Sequence, residues 1–374
     1  MNDRSLRIGI ACYPTYGGSG IVATELGIGL AEHGHDVHFL AYADLPRVQG
    51  ASRVQQHIVE VSAYPLFKFP PYDLALASKM RELLEGEGLD ILHVHYAIPH
   101  SISAYLARQM SPHSRAKVVT TLHGTDITVV GADPAYREVT RFGLLHSDRI
   151  LAVSEFLVRE TRETFGIDRE IVVAPNFVDT DRFRPGARPS GRPPVLVHVS
   201  NFRAVKRPLD VVQAFAMACR DDDARLRLAG DGPELAPCLE LAEKLKVRDR
   251  IDALGEVQKV EEVLADADIL LQPSGTEAFG LAALEAAACG VPTIGYVIGG
   301  LPEVVVDGET GFLVPFKDVK ARARRTRERL DDPARLAAFR IAARERAVER
   351  FCRRHSLEQH ERIYFEVLAD GAGS

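Results

Sequence analysis

The sequence predicts an α/β protein made of two doubly wound, parallel-sheet domains in tandem. Three observations carry this. Short, almost continuously apolar runs alternate with amphipathic helical stretches, as a parallel sheet covered on both faces requires. A length of 374 residues suits two domains at roughly 100–200 residues each. A break, FRPGARPSGRPPV (Phe183–Val195), holds four prolines and two glycines and fits a linker.

In chain order, strands are expected at Arg7–Cys12, Asp36–Tyr42, Asp90–His95, Lys117–Leu122 and Arg149–Ser154. Helices such as Ile21–His33 and Asp73–Glu85 lie between them. This series makes a first domain over 1–184. A second series follows at Val195–Ser200, Ala224–Gly230, Arg250–Gly255, Asp268–Pro273 and Val291–Tyr296, giving a second domain over 195–354. Both domains are Rossmann-like, and such sheets bind ligands at the carboxyl ends of their strands. Their functional loops should therefore face a central cleft. The tail, Lys317–Ala369, reads as helical and heavily charged. Its ARARRTRERL stretch (Ala321–Leu330) reads as a solvated helix face and not a nucleic-acid patch, because acidic residues follow at once.

Bulk properties narrow the function. A net charge of −6 leaves no general nucleic-acid or membrane footprint. Met1–Arg7 is short and charged, so no signal peptide is expected, and no apolar run reaches the roughly 20 residues that span a bilayer. Cys12, Cys219, Cys238, Cys289 and Cys352 are scattered and contain no C-x-x-C pair, which argues against disulfides and zinc. A cytoplasmic enzyme fits these features.

Several loops carry candidate chemistry. After the first strand, CYPTYGGSG (Cys12–Gly20) precedes a helix; Gly17, Gly18 and Gly20 allow close backbone approach, and the helix start offers N–H donors to an anion. The dinucleotide fingerprint is incomplete, since Ala23 takes its third glycine place, and the second strand ends in Ala41–Tyr42 without an acid. Both points count against a nicotinamide cofactor. HGTD (His123–Asp126) sits at a strand end where catalytic groups lie, although a His can also simply cap a helix. His93, His95 and His100 lack a carboxylate or thiolate cluster, so no metal is expected there. In SNFRAVKRPLD (Ser200–Asp210), Arg203 and Lys206 leave a strand end together, as suits a diphosphate. The strongest local signal is SGTEAFGLAALEAAACGVPTIG (Ser274–Gly295). Phe279, Gly280 and Leu281 should open a helix whose N–H groups hold a pyrophosphate. Glu285 would then lie about two turns in, facing ribose hydroxyls, and Glu277 in the preceding loop would meet a transferred sugar.

These motifs resemble the GT-B-fold retaining glycosyltransferases, the family that includes sucrose-phosphate and trehalose synthases. The E-x7-E element, GDGPE (Gly230–Glu234) and GGLPEVVVDGETGFLVP (Gly299–Pro315) match it, and the resemblance runs from about Arg7 to Glu366. CYPTYGGSG, FKFPPYDLALASK (Phe67–Lys79), HVHYAIPH (His93–His100), TTLHGTDITVVG (Thr120–Gly131) and HVSNFRAVKR (His198–Arg207) are similar to the bacillithiol-pathway branch. The mycothiol branch, which glycosylates inositol phosphate, fits these segments less well. Broad-family members usually carry an Arg five residues before the phosphate-binding Lys; here that position is Asn201, and Arg203 takes the role. EAFG at Glu277–Gly280 differs only at a tolerant position.

The resemblance implies transfer of N-acetylglucosamine from UDP-N-acetylglucosamine to L-malate, the first step of bacillithiol synthesis. His123, Glu277, Arg203 and Lys206 would be catalytic. Gly18, Arg203, Lys206, Glu277, Phe279, Gly280, Leu281 and Glu285 would bind the donor. Ser19, Tyr96, Thr120 and Asn176 would bind the acceptor, with Lys68 and Arg141 as added cations. No cofactor and no metal requirement is implied, because protein cations and N–H groups hold the diphosphate. The last helix, about 355–374, should pack back on the first domain. A UDP-sugar epimerase and a non-catalytic binding module are the rival readings; the first would lack the E-x7-E element, and the second would not need these polar residues. Oligomeric state stays open, a homo-oligomer included.

Overall fold

The computed structural model describes residues 4–15, 18–45, 48, 50–62, 65–189, 191–220 and 222–370. Gly17 lies outside the described residues. The chain divides into two units, one running to Asn176 and resuming at Arg353, the other Phe177–Cys352.

The first unit's strands are β1 (Arg7–Ala11), β2 (Asp36–Ala41), β3 (Val54–Ile58), β4 (Ile91–His95), β5 (Lys117–Leu122), β6 (Arg149–Ala152) and β7 (Val172–Val173). They form a parallel sheet of order β3-β2-β1-β4-β5-β6-β7. Helices α1 (Ser19–Glu32), α2 (Tyr72–Gly86), α3 (Ile102–Gln109), α4 (Thr125–Thr128), α5 (Arg137–Leu145) and α6 (Glu155–Phe165) connect them. The apolar strands supply the core, with Leu40, Leu92 and Val94 packed against Leu76 and Met80 of α2. Strand β3 was not expected. Its VQQHI sequence is largely polar because it is a half-buried edge strand.

The second unit repeats the plan. Strands β8 (Val195–Val199), β9 (Arg225–Ala229), β10 (Ile251–Gly255), β11 (Ile269–Gln272), β12 (Thr293–Tyr296) and β13 (Gly311–Val314) form a sheet of order β10-β9-β8-β11-β12-β13. Helices α7 (Pro208–Ala218), α8 (Leu235–Lys244), α9 (Val260–Ala265), α10 (Leu281–Ala288) and α11 (Leu301–Val304) accompany them. Leu196, Phe215, Leu228 and Leu271 are fully buried at the centre.

The charged tail is three helices, α12 (Val319–Leu330), α13 (Pro333–Phe351) and α14 (Arg353–Ala369). Asp332 caps α13 by accepting from the Arg335 N–H at 2.9 Å, and Pro333 sits at its first position. The solvated face expected for Ala321–Leu330 is present at Arg324, Arg325 and Arg327, but it is only one side of the helix. Arg322, Thr326 and Arg329 fall on one helical face and are buried. The Arg322 guanidinium lies 3.9 Å from the Tyr296 ring centroid, and that of Arg329 lies 5.1 Å from both Phe312 and Phe339. Arginine stacks on aromatic faces, so a basic helix can bury guanidinium groups against rings. Helix α14 belongs to the first unit: Glu361 accepts from His33 Nδ1 at 2.9 Å and His35 Nε2 at 3.2 Å, and Arg353 pairs with Glu32 at 2.8 Å. Among the described residues, no helix is long and apolar enough to cross a membrane.

Candidate active site

Each sheet reverses its strand order once, between β1 and β4 and between β8 and β11. Loops at the carboxyl ends of strands flanking such a switch diverge and leave room for a ligand. Gly18, Ser19, Tyr96, Arg203, Lys206, Glu277 and Phe279–Leu281 stand on these loops or the helix starts that follow them, and His123 stands on the loop after β5.

In the first unit, Gly18 precedes α1 with φ +61° and Ser19 opens the helix. Beyond β4, Tyr96 takes a positive φ of 91°, and its N–H donates to the Thr121 carbonyl at 2.9 Å. Its hydroxyl lies 3.1 Å from Thr125 Oγ1, and its ring stacks on His123 at 5.5 Å. On the other side, His95 Nδ1 lies 2.9 Å from His123 Nε2. Burial, with His100 adding to it, pushes the His123 pKa down to about 3, so the ring is neutral at pH 7. Asp126 of the HGTD segment is fully buried. Its carboxylate accepts from the backbone N–H groups of Ala97 (2.9 Å), His123 (3.1 Å) and Gly124 (2.8 Å). Burial pushes its pKa up and these donors pull it down. Asp126 therefore ties the β4 and β5 loops together and holds the His123 backbone in place. Both ring nitrogens of His93 are engaged, with Tyr364 OH at 2.7 Å and Thr121 Oγ1 at 2.6 Å. Among the described residues, no group of three or more His, Cys, Asp or Glu could hold a metal ion.

In the second unit, buried His198 organises the loop after β8. Its Nδ1–H donates to the Leu271 carbonyl at 2.8 Å, so Nε2 accepts from Ser200 Oγ at 2.8 Å. Ser200 Oγ in turn accepts from the Phe202 N–H at 3.1 Å. Arg203 beyond it is exposed. Lys206 ends a short 3-10 turn, and Arg207 follows in the left-handed region with φ 49°. Arg207 grips Asp210 through two bonds of 2.8 and 3.0 Å, and Tyr296 OH donates to the same carboxylate at 2.6 Å. Lys206 Nζ reaches Glu277 Oε2 at 2.9 Å, and Gln272 Nε2 donates to that oxygen at 3.1 Å. Lys206 and Glu277, 71 residues apart, thus meet.

Helix α10 starts at Leu281, one to two residues later than expected. Gly280 precedes it with φ +108°, outside helical space, and Phe279 is buried against Phe351 at 5.7 Å. Glu285 is therefore just over one turn in, not two. The first N–H groups of such a helix lack intrahelical acceptors. Gly299 fixes the Glu277 backbone: it has φ +55°, and a Cβ there would lie 1.9 Å from the Glu277 carbonyl oxygen. Gly299→Ala is expected to destabilise the second unit by at least about 2 kcal/mol, combining left-handed strain with the overlap. Thermal unfolding should show a lowered midpoint; an unchanged one would mean the Glu277 loop yields freely.

The remaining acceptor candidates are spread over the first unit. Thr120 does not join Tyr96 and His123. It is fully buried, with its hydroxyl 2.7 Å from Ser147 Oγ. Successive strand residues face opposite sides, and it is Thr121 that faces His93. Lys68 is exposed, its Nζ 5.5 Å from the Phe69 ring. Arg141 Nε donates to the Phe165 carbonyl at 2.9 Å. Asn176 Oδ1 is buried without a hydrogen-bond partner among the described residues. Residues not singled out beforehand also line these loops. Gln272 was marked only by being polar at the end of an apolar strand. Tyr13, at 5.2 Å from Tyr96 and 4.7 Å from His100, was marked only by its place in CYPTYGGSG.

Two family models match this chain, Glycosyltransferase Family 4 over residues 16–182 and Glycosyl transferases group 1 over residues 179–346. The chain is 46% identical to the N-acetyl-alpha-D-glucosaminyl L-malate synthase of Bacillus anthracis, with 98% of each chain covered. It is 31% identical to the D-inositol 3-phosphate glycosyltransferase of Geodermatophilus obscurus, over 81% of this chain and 75% of that one. The crystal structure of a glycosyltransferase from Rickettsia africae superimposes with a TM-score of 0.82 at 21% identity, covering 97% of this chain and 99% of that one. This likeness speaks for the fold alone.

Proposed function

This chain is a GT-B-fold glycosyltransferase of the family that holds the Bacillus anthracis N-acetyl-alpha-D-glucosaminyl L-malate synthase, and from that membership we propose that it transfers N-acetylglucosamine from UDP-N-acetylglucosamine to the hydroxyl of L-malate, with retention at the anomeric carbon. The observation that carries the reading is the 46% identity over nearly the whole of both chains. In this reading the enzyme is cytoplasmic and opens bacillithiol synthesis.

The reaction breaks the bond from the anomeric carbon to the diphosphate and forms one to the malate oxygen on the same face. The malate proton leaves with the departing phosphate. Positive charge grows on the sugar ring and negative charge on the β-phosphate, so catalysis is positioning and charge stabilisation. Arg203, Lys206 and the N–H groups of Phe279–Leu281 would hold the diphosphate. Glu277 would accept from sugar hydroxyls through Oε1, since Lys206 and Gln272 both meet Oε2. Glu285 would meet the ribose, and His123 a sugar hydroxyl. No metal enters this reading, because these groups supply the positive charge.

Mass spectrometry of products from UDP-N-acetylglucosamine and L-malate tests it. N-acetylglucosaminyl-malate and UDP should form in equal amounts, with and without EDTA. Epimerised nucleotide sugar without transfer would replace the reading by an isomerase. Activity lost to EDTA and restored by magnesium or manganese would overturn the metal-free part.

A further inference from the structure

The histidines around His123 form an ordered proton arrangement. His100 Nδ1 donates to the His95 carbonyl, which fixes the backbone where β4 ends. His95 Nδ1 then lies 2.9 Å from His123 Nε2. Burial keeps both rings neutral, so each carries one N–H and a single proton lies in the bond between them. Two arrangements satisfy it. If His123 donates from Nε2, then His95 must carry its proton on Nε2. That atom is buried without a hydrogen-bond partner among the described residues, so an N–H there would be stranded. If His95 donates from Nδ1, the atom left without a partner is a lone pair. Orphaned buried N–H groups are the rarer and costlier case.

We infer that His95 is a positioning residue, one that donates from Nδ1 to His123 Nε2 and thereby places the His123 proton on Nδ1. His123 thus presents a neutral N–H donor, held between His95 and the stacked ring of Tyr96. A hydroxyl oxygen is the group such a donor recognises. Neutrality matters too, because a fixed imidazolium beside a sugar ring gaining positive charge would raise the barrier. The effect on turnover rests on the contact between His123 and the sugar proposed above; the tautomer does not.

Nitrogen-15 NMR on histidine-labelled wild-type protein reads the tautomer directly, with the His123 signals identified by their loss in His123→Asn. A protonated Nδ1 and bare Nε2 are expected; the opposite pattern overturns the inference. His95→Asn keeps an N–H donor where His Nδ1 stands, so the tautomer should persist and kcat should fall only a few-fold. His95→Asp puts an acceptor there, draws a proton onto His123 Nε2, and should lower kcat at least tenfold while UDP affinity stays unchanged. Equal kcat losses in two folded variants would overturn the positioning role. The expected tautomer in an enzyme that makes no N-acetylglucosaminyl-malate would overturn the proposed function instead.

Discussion

Lys206→Ala is expected to lower kcat/KM for the nucleotide sugar by about 30-fold to several thousand-fold, a loss of roughly 2–5 kcal/mol of transition-state stabilisation. Two effects add. In the proposed donor site, the β-phosphate would lose a cation where negative charge grows. Glu277, whose side chain is 12% exposed, also loses its ion-pair partner at 2.9 Å and keeps a charge that would repel the diphosphate. The double variant Lys206→Ala/Glu277→Gln separates them, because removing the stranded charge should recover ground-state UDP binding but not the lost rate. Steady-state kinetics and UDP titration read the two outcomes. A wild-type rate in Lys206→Ala would take Lys206 out of the donor site.

That Lys206 and Glu277 meet was legible only as chemistry. Each was marked by its residue type at a strand end, and their bond depends on β8 and β11 being neighbours, which no local pattern encodes. The strands themselves were legible because parallel strands buried on both faces leave apolar runs. The half-buried edge strand β3 does not, so its VQQHI passed unseen, and the short edge strands β7 and β13 were likewise not expected. Thr120 turns toward Ser147 at 2.7 Å, which was not legible because a sequence shows that a residue lies on a strand but not which face it takes. Its neighbour Thr121 carries the hydroxyl that reaches His93. Arg322 was misjudged for a related reason: a basic run looks solvated until the aromatic partner, Tyr296, is brought in from β12. The pairing of His95 with His123 joins β4 to the loop after β5, and it is likewise tertiary.

Lactate should be a far poorer acceptor than L-malate, by at least about a hundredfold in kcat/KM. Malate carries two carboxylates around one hydroxyl, so its recognition needs a cation or paired donors for each. In the proposed reading, Ser19 opening α1 and Tyr96 beyond β4 would supply donors near the β1–β4 switch, and exposed Lys68 would supply a cation. Thr120, the other donor candidate, is buried with its hydroxyl 2.7 Å from Ser147 Oγ. Lactate has the hydroxyl and one carboxylate but would leave the groups meant for the second carboxylate unpaired, at a cost of several kcal/mol. If Lys68 serves that second carboxylate, Lys68→Ala should weaken malate turnover strongly and lactate turnover little, narrowing the ratio between them. Inositol phosphate, bulkier and differently charged, should also be poor, in keeping with the lower identity to the inositol-phosphate enzyme. Competing acceptors in one reaction, with products resolved by mass, give the ratios directly. Equal turnover of lactate and malate would remove the dicarboxylate pocket, and preference for inositol phosphate would move the chain to the mycothiol branch.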